Sequence, residues 1–238
     1  MQNKFSPENF KKGQLLLLDK PLGWTSFQVV NKVRWLIRKS CDIKKIKVGH
    51  AGTLDPLADG LLLICTGRFT KRIQEFQGME KEYTGTFTLG ATTPSFDLET
   101  EIEQYYPVDH LNEKVLKEKT RAFIGEIVQY PPVFSAIKKN GKRLYEYARS
   151  GEQVKIDSRK VQISSFELTK IALPEVDFKV VCGKGTYIRS LAHDFGKSLN
   201  SGAYLSSLRR TRIGTYSVED ALDIDGFIKL LPNTDSLK

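Results

Sequence analysis

The sequence predicts an α+β fold with a mixed or antiparallel sheet. Two observations support this prediction. Short apolar or alternating segments typical of strands recur along the 238 residues, and segments with a helical apolar stripe separate them at irregular spacing. The sequence shows no internal repeat or low-complexity segment. Its length suffices for one large domain or two small ones, each with its own core.

The first elements predicted are a strand, a helix and a second strand. The apolar run 15–18 ends before a proline and a glycine, which indicates a short buried strand. Thr25 or Ser26 can cap the helix that follows. The apolar stripe of this helix consists of Val29, Val30, Val33, Leu36 and Ile37. Over residues 83–89 threonines alternate with larger apolar residues, which predicts a strand with one buried face.

Two further helices and a strand are predicted in the second half. A helix is expected over 111–123, ending near Gly125. Residues 176–182 alternate between apolar and charged side chains and predict a strand. The glycine-rich turn 183–185 then leads to a helix capped by Thr186. The apolar stripe of that helix consists of Ile188, Leu191, Ala192, Phe195 and Leu199.

Asp55 is the main candidate for a reactive group. It precedes Pro56 and could therefore cap a helix. However, Gly60 follows within about one turn, and Ala58 is not the Glu or Gln of a capping box. The apolar run 61–65 then indicates a short buried strand. We therefore expect Asp55 at the tip of a rigid loop that leads into a core strand, which is where catalytic groups are often found.

The charge pattern suits a polyanionic partner. The chain has 37 Lys plus Arg against 28 Asp plus Glu, a net charge of +9. Basic residues cluster before the Asp55 loop, while acidic residues gather over 97–118. The first basic cluster comprises Lys32, Arg34, Arg38, Lys39, Lys44, Lys45 and Lys47. Two more clusters comprise Lys138, Lys139, Lys142, Arg143 and Arg149, and Arg209, Arg210 and Arg212.

Several other classes of protein do not fit. The three cysteines are an odd number without a Cys-x-x-Cys pair, and the three histidines are scattered, which disfavours a disulfide framework or a metal site. Residues 1–14 lack the apolar core of a signal peptide. No apolar run approaches the roughly 20 residues of a membrane span. We expect a cytoplasmic protein that needs no metal.

Five segments occur in an order that is similar to one known family. They are 17–26 (LLDKPLGWTS), 49–60 (GHAGTLDPLADG), 129–138 (QYPPVFSAIK) continuing through 141–151, 182–189 (CGKGTYIR) and 202–210. Together they resemble the motifs of the TruB-type tRNA pseudouridine synthases over nearly the whole chain. The resemblance implies one catalytic domain over 1–238 around a long sheet, with an RNA-clasping insertion at about 132–160. Beyond this motif and the residues directly after it, only residues 217–238 remain, so we expect no C-terminal PUA domain.

The resemblance also assigns the reacting groups. Asp55 matches the family's catalytic aspartate, and Arg189 matches the arginine that pairs with it. On its predicted helix, Arg189 lies in the first turn at the flank of the buried stripe, where the helix dipole disfavours a cation. An arginine there needs a partner, and an ionised aspartate is a suitable one. Such pairing lowers the pKa of a carboxyl group and keeps a nucleophile charged.

Further residues match the family's substrate-binding groups. Tyr83 matches a tyrosine that stacks on the extruded uracil, Tyr187 and Leu208 match residues lining the base pocket, and His50 matches the histidine that fills the space of the flipped nucleotide. Lys20 is expected to support the Asp55 loop rather than to react. The basic clusters predict contacts with the RNA backbone from Lys138, Lys142, Arg149, Arg209 and Arg210.

The expected activity is conversion of uridine to pseudouridine in the T-loop of tRNA, at position 55 in tRNA numbering. The reaction needs no cofactor and no obligate protein partner. The sequence leaves open whether Asp55 attacks C1′ or C6 or promotes a glycal route. It also leaves two other classes open: a non-catalytic RNA-binding or RNA-chaperone protein, and a synthase acting on another RNA or with a guide RNA. A glycosidase needs a carboxylate pair, and we assign no chemistry to Asp59.

Overall fold

A computed structural model describes residues 5–233 of the chain. These residues fold into two compact units: one holds the residues up to Glu82 and those from Arg209 onwards, the other Tyr83–Leu208. The strands are β1 Leu15–Lys20, β2 Val48–Ala51, β3 Ala58–Thr66, β4 Lys81–Leu89, β5 Ala91–Thr92, β6 Gln104–Tyr105, β7 Gly125–Gln129, β8 Lys138–Lys139, β9 Lys142–Arg143, β10 Arg159–Ala172, β11 Glu175–Cys182, β12 Ala203–Ile213 and β13 Tyr216–Ser217. The helices are α1 Pro7–Lys12, α2 Ser26–Ser40, α3 Ile73–Gly78, α4 Glu113–Thr120, α5 Leu144–Ser150, α6 Ile188–Ser198 and α7 Ile224–Lys229. The predicted α+β class is confirmed, because most strands belong to a large sheet accompanied by helices.

The central strand of the first unit is β3. It pairs antiparallel with both β1 and β2. Leu62 and Ile64 point into a core shared with α2, and residues 61, 63 and 65 point into a second core on the opposite face. Because both faces are covered, the strand has an unbroken apolar sequence instead of an alternating one.

Helix α2 forms as its sequence predicts. Thr25 caps it, accepting a hydrogen bond from the Gln28 backbone N–H at 3.1 Å, while the Gln28 side chain accepts one from the Thr25 N–H at 2.7 Å. This reciprocal capping box satisfies donors that the first helical turn would otherwise leave open. All five residues of the predicted stripe are buried.

The second unit is built around four strands and an aromatic core. Strands β4, β11, β10 and β7 are neighbours in that order, and β10 pairs antiparallel with both β11 and β7. Phe87 of β4 stacks on Phe178 of β11 with ring centroids 4.1 Å apart, and Phe195 of α6 packs on Phe87 at 6.0 Å. The strands predicted at 83–89 and 176–182 are confirmed.

The structure corrects two predicted helix starts. Helix α4 begins at Glu113 instead of residue 111, because the Asn112 side chain accepts a hydrogen bond from the Val115 N–H at 3.0 Å and so becomes the cap. Thr186 does not cap α6. Its hydroxyl donates to the Gly183 carbonyl at 3.1 Å, which closes the preceding turn, and the N-cap residue is Tyr187.

The remaining segments follow the predictions in outline. Residues 132–160 contain the β8–β9 hairpin and α5 before β10 begins. The residues after the last motif predict one short amphipathic helix at most, around 224–231, followed by a polar tail. The structure has one short helix there, α7, and residues 234–238 of the tail lie outside the described residues. Within 5–233 no helix is both long enough and apolar enough to cross a membrane.

Candidate active site

Asp55 lies in a tight turn between β2 and β3, and β3 begins only three residues later. The Ala58 N–H donates to the Asp55 carbonyl at 3.1 Å, and the Gly23 N–H donates to the Pro56 carbonyl at 2.8 Å. No helix starts here, so the prediction of a shaped loop feeding a core strand is confirmed. Asp55 itself is half-buried.

Ser26, the first residue of α2, fixes this turn through two hydrogen bonds to Leu54. The Ser26 hydroxyl donates to the Leu54 carbonyl at 3.1 Å and accepts from the Leu54 N–H at 2.8 Å. Ser26 and Leu54 are both buried, so water does not compete for these bonds. The residue directly before Asp55 is thereby fixed to a helix that is itself anchored in the core.

Lys20 holds the segment 21–24, which neighbours the Asp55 turn, and its direct support of the Asp55 loop stays a prediction. Its ammonium group donates to the carbonyls of Pro21 at 2.9 Å and Trp24 at 2.6 Å. Burial lowers the pKa of Lys20 to about 8, and the Arg210 charge acts in the same direction, while the carboxylates of Asp59 and Asp55 oppose the shift. Lys20 therefore supplies a buried positive charge within electrostatic reach of Asp55.

The structure contradicts the prediction that Arg210 contacts the RNA backbone. Its side chain is 1% exposed and cannot reach a phosphate. Its guanidinium instead donates to the Leu61 carbonyl at 2.8 Å, the Gly52 carbonyl at 3.1 Å and the Thr53 carbonyl at 3.5 Å. Arg210 thus holds the chain on both sides of the Asp55 turn.

The glycine at position 60 permits this approach. Gly60 has φ 99°, and a Cβ atom there would lie 2.4 Å from the Arg210 carbonyl oxygen. Any larger residue would push β12 away from β3 and move the guanidinium off its three carbonyls. The glycine of the motif is therefore explained by backbone packing behind the turn.

His50 and Arg209 complete the predicted residues of the first unit. Burial, and then the Arg210 charge, lower the pKa of His50. Arg209 forms a bidentate pair with Asp19 at 2.6 and 3.1 Å and a second ion pair with Asp59 at 3.2 Å. A phosphate would have to compete with these two carboxylates, so the RNA contact of Arg209 stays a prediction.

In the second unit, Tyr187 is held by a residue whose role the sequence did not reveal. The Gln129 side chain accepts from the Tyr187 N–H at 2.7 Å and donates to the Tyr187 carbonyl at 3.0 Å. Gln129 is fully buried, and the Arg159 guanidinium lies 4.6 Å from the centre of the Tyr187 ring. The backbone at Tyr187 and the first turn of α6 are therefore fixed to the end of β7.

Arg189 is 4% exposed and is paired with a carboxylate that sequence reasoning missed. Its Nη1 lies 3.5 Å from Asp97 and donates to the carbonyls of Phe134 at 2.9 Å and Ser95 at 3.4 Å. This network satisfies the expectation that a cation in the first turn of α6 needs a partner. Its pairing with Asp55 stays a prediction.

Tyr83 and Leu208 lie at the ends of the second unit's chain segment. Tyr83 is buried near the start of β4, and Leu208 is partly buried in β12. Their roles in holding the uracil, like those of His50 and Tyr187, stay predictions.

Two of the three basic residues predicted to contact RNA in the insertion form ion pairs with carboxylates of the second unit. Lys142 contacts Glu152 at 2.5 Å and Arg149 contacts Glu99 at 3.1 Å, while Lys138 is exposed. Exposed ion pairs are weak because water screens their charges, so a phosphate can displace them. Two tyrosines accompany these cations: Lys142 lies 4.6 Å from the Tyr147 ring and Arg149 lies 5.4 Å from the Tyr145 ring.

Comparison with known proteins defines the class. The model of the TruB family pseudouridylate synthase N-terminal domain matches residues 38–188, a span that includes the Asp55 turn, Tyr83 and Tyr187. The chain therefore belongs to the TruB family of pseudouridylate synthases.

Two curated relatives and one solved structure show how similar the chain is to known members of this class. The chain is 63% identical to tRNA pseudouridine synthase B of Flavobacterium johnsoniae over 93% of its own length and 97% of that protein. It is 56% identical to the protein of the same name from Phocaeicola vulgatus, over 92% and 93%. Among solved structures, one chain of a Cbf5–Nop10–Gar1 complex matches with a TM-score of 0.67 and 30% identity, covering 91% of this chain. This chain spans only about half of that one, 53%.

Proposed function

We propose that this chain isomerises uridine to pseudouridine in tRNA, at position 55 of the T-loop. The observation that carries the proposal is the Asp55 turn, which lies within the segment matched to the family and is fixed by bonds to Ser26, Gly23 and Arg210. Rigid placement of one carboxylate is what a reaction at a single nucleotide requires. The curated relatives are named as tRNA-modifying enzymes, which supports tRNA as the substrate.

In the proposed reaction, the bond between C1′ and N1 breaks, the uracil turns, and a bond forms between C1′ and C5. The proton on C5 leaves and N1 gains one, so atoms and charge balance and no electrons are exchanged. Asp55 initiates this sequence, with Arg189 as its proposed partner. The target base must leave the stack, at a cost of about a few kcal/mol.

The remaining residues hold the flipped nucleotide. Tyr83 stacks on the uracil, Tyr187 and Leu208 line its pocket, and His50 fills the space left in the loop. The lowered pKa of His50 keeps its ring neutral near pH 7, so that it can enter the base stack without a buried charge. We propose that these groups and the two units act as one catalytic domain in the cytoplasm.

Tritium release provides the direct test. A tRNA transcript carrying uridine labelled with tritium at C5 should release one tritium per tRNA, because C5 loses its hydrogen when it joins C1′. A transcript with cytidine at position 55 should release none. Binding without release would favour the non-catalytic RNA-binding alternative, and undiminished release from the cytidine transcript would show that another uridine is the target.

An isolated T-arm stem-loop should be modified nearly as well as whole tRNA. The reason is that the proposed catalytic and RNA-gripping segments both belong to the described chain and would act on the T-arm directly. The measurement is kcat/KM for each RNA. A hundredfold loss with the stem-loop, about 2.7 kcal/mol of transition-state binding, would show that contacts outside the T-arm matter.

Changing Lys138, Lys142 and Arg149 to glutamine should weaken binding to all tRNAs alike and flatten its salt dependence. Each lost phosphate contact should lower the slope of log affinity against log salt by roughly one unit. The matched control changes Lys114, Lys117 and Lys119 of α4, three exposed lysines in the acidic part of the sequence, and should leave the slope unaltered. Equal slopes for wild type and the first variant would contradict a role in RNA binding.

A further inference from the structure

An exposed tryptophan lies among cations on the outer face of α2, away from the Asp55 turn. Trp35 is 41% exposed there, outside the buried stripe of the helix. A cavity of about 270 Å³ adjoins it, lined by Trp35, Arg38, Lys39, Asp42, Ile43 and Lys44. Lys32, one turn earlier, places its ammonium 5.0 Å from the centre of the indole ring.

Folding alone does not account for this group of residues. Arg38 and Lys39 lie in the last turn of α2, where cations are favoured by the helix dipole. That argument does not extend to Lys44, which lies beyond the helix end, or to the exposed indole of Trp35. By contrast Arg34 is engaged internally, since it donates to the Asn31 side chain at 2.7 Å and to the Val48 carbonyl at 3.2 Å.

The chemistry of the cavity fits a nucleotide. Its lining has three cations and one carboxylate, and an aromatic surface lies among them. Single-stranded nucleic acid is held by this combination, with a base on the aromatic ring and phosphates on the cations. The volume is below the roughly 300–1,000 Å³ of pockets that enclose a whole small molecule, which suits one group presented by a larger partner.

The position along α2 separates this site from the reacting uridine. Ser26, which fixes the Asp55 loop, begins the helix, and Trp35 follows nine residues later. At 1.5 Å per residue this places Trp35 about 14 Å further along the helix. That distance corresponds to about four stacked nucleotide steps of 3.4 Å, so the occupant is a different nucleotide from the target.

We propose that Trp35 stacks on an unpaired base of the bound RNA, several nucleotides from the reacting uridine, while Arg38, Lys39 and Lys44 contact the adjoining phosphates. This inference rests on the proposed function in so far as the RNA is tRNA. The site contributes affinity and register and takes no part in the chemistry.

The test measures the affinity of the full chain for an unmodified tRNA transcript. Trp35→Ala and Trp35→Leu should each weaken binding about tenfold without changing the salt slope, because stacking is lost and no charge is removed. Trp35→Phe should retain most of the affinity. Changing Arg38 and Lys44 to glutamine should lower the salt slope by roughly one unit per phosphate contact.

Tyr105→Ala is the matched control. Tyr105 is a more exposed aromatic residue, at 76%, but lies beside Glu101 and Glu103, so its loss should leave affinity unaltered. A direct signal comes from Trp24→Phe, which leaves Trp35 as the sole tryptophan. Its fluorescence should be quenched when tRNA binds.

Wild-type affinity in both Trp35→Ala and Trp35→Leu, or unquenched fluorescence in the saturated complex, would overturn this inference. Tritium release by the wild-type chain decides the proposed function separately. If the wild-type chain releases tritium and the Trp35 variants bind tRNA as tightly as the wild type, the proposed function stands and the proposed Trp35 site is wrong.

Discussion

Asp55→Asn is expected to lower tritium release by a factor on the order of 10⁴ or more, as loss of a nucleophile does in other enzymes. Affinity for tRNA should stay within a few-fold, because asparagine has the same shape and the substitution removes a negative charge instead of a phosphate contact. The bonds that shape the turn from Ala58 and Gly23 involve backbone atoms and are unaffected by the substitution. Single-turnover tritium release and a binding isotherm on the same preparation provide the measurement.

Asp59→Asn is the matched control for this variant. Asp59 lies four residues away, is also half-buried, and forms an ion pair with Arg209. We expect it to retain most of the activity, since no chemistry is assigned to it. Mass spectrometry should exclude deamidation of the new asparagine. Full turnover by intact Asp55→Asn protein, or equal losses in both variants, would remove Asp55 from its assigned role.

Arg210→Lys is expected to lower kcat by about a hundredfold while the KM for tRNA changes little. Lysine keeps the charge but lacks the planar fork that reaches three carbonyls at once. The chain on both sides of the Asp55 turn would therefore shift, and a displacement of about 1 Å can cost this much in rate. The thermal midpoint should fall as well, because buried carbonyls lose their donors.

Whether the variant changes kcat or KM distinguishes the role of Arg210 in holding the Asp55 turn from the RNA-backbone contact first predicted for it. A residue bound to RNA phosphate would raise KM, lower the salt slope by roughly one unit and leave kcat alone. Arg212→Lys serves as the control, since Arg212 lies two residues along the same strand and donates to the Gly214 carbonyl at 2.8 Å. We expect its kcat to stay near that of the wild type.

The contrast between Arg210 and Asp55 shows where sequence reasoning succeeds. The Asp55 turn could be predicted because the signals are local: a glycine too early for a helix, followed by an apolar run. Helix α2 could be predicted in the same way, from its capping residue and its apolar stripe. The burial of Arg210 could not be predicted, because arginine is seldom fully buried. Its three hydrogen-bond acceptors are 149 to 158 residues away in the sequence.

Other functional residues were also missed because their contacts join parts of the chain that are distant in the sequence. Asp97 opens an acidic stretch to which the sequence analysis assigned no role, yet it is buried beside Arg189, 92 positions further along the chain. Gln129 opens a recognised motif, but its bonds to the Tyr187 backbone arise only when β7 and α6 meet. Thr186 was misassigned because the competing acceptor, the Gly183 carbonyl, belongs to the geometry of a turn.

The way the Asp55 turn is held has a consequence for how the enzyme is made. The turn is held by Gly23, which is synthesised before it, and by Arg210, which is synthesised long after it. Closing so long a loop is slow and is completed late in folding. A nascent chain that has emerged only as far as β11 already exposes the first two basic clusters, but Arg210 does not yet fix the turn that carries its aspartate. RNA could therefore bind to the unfinished protein before the reactive carboxylate is in position to act on it.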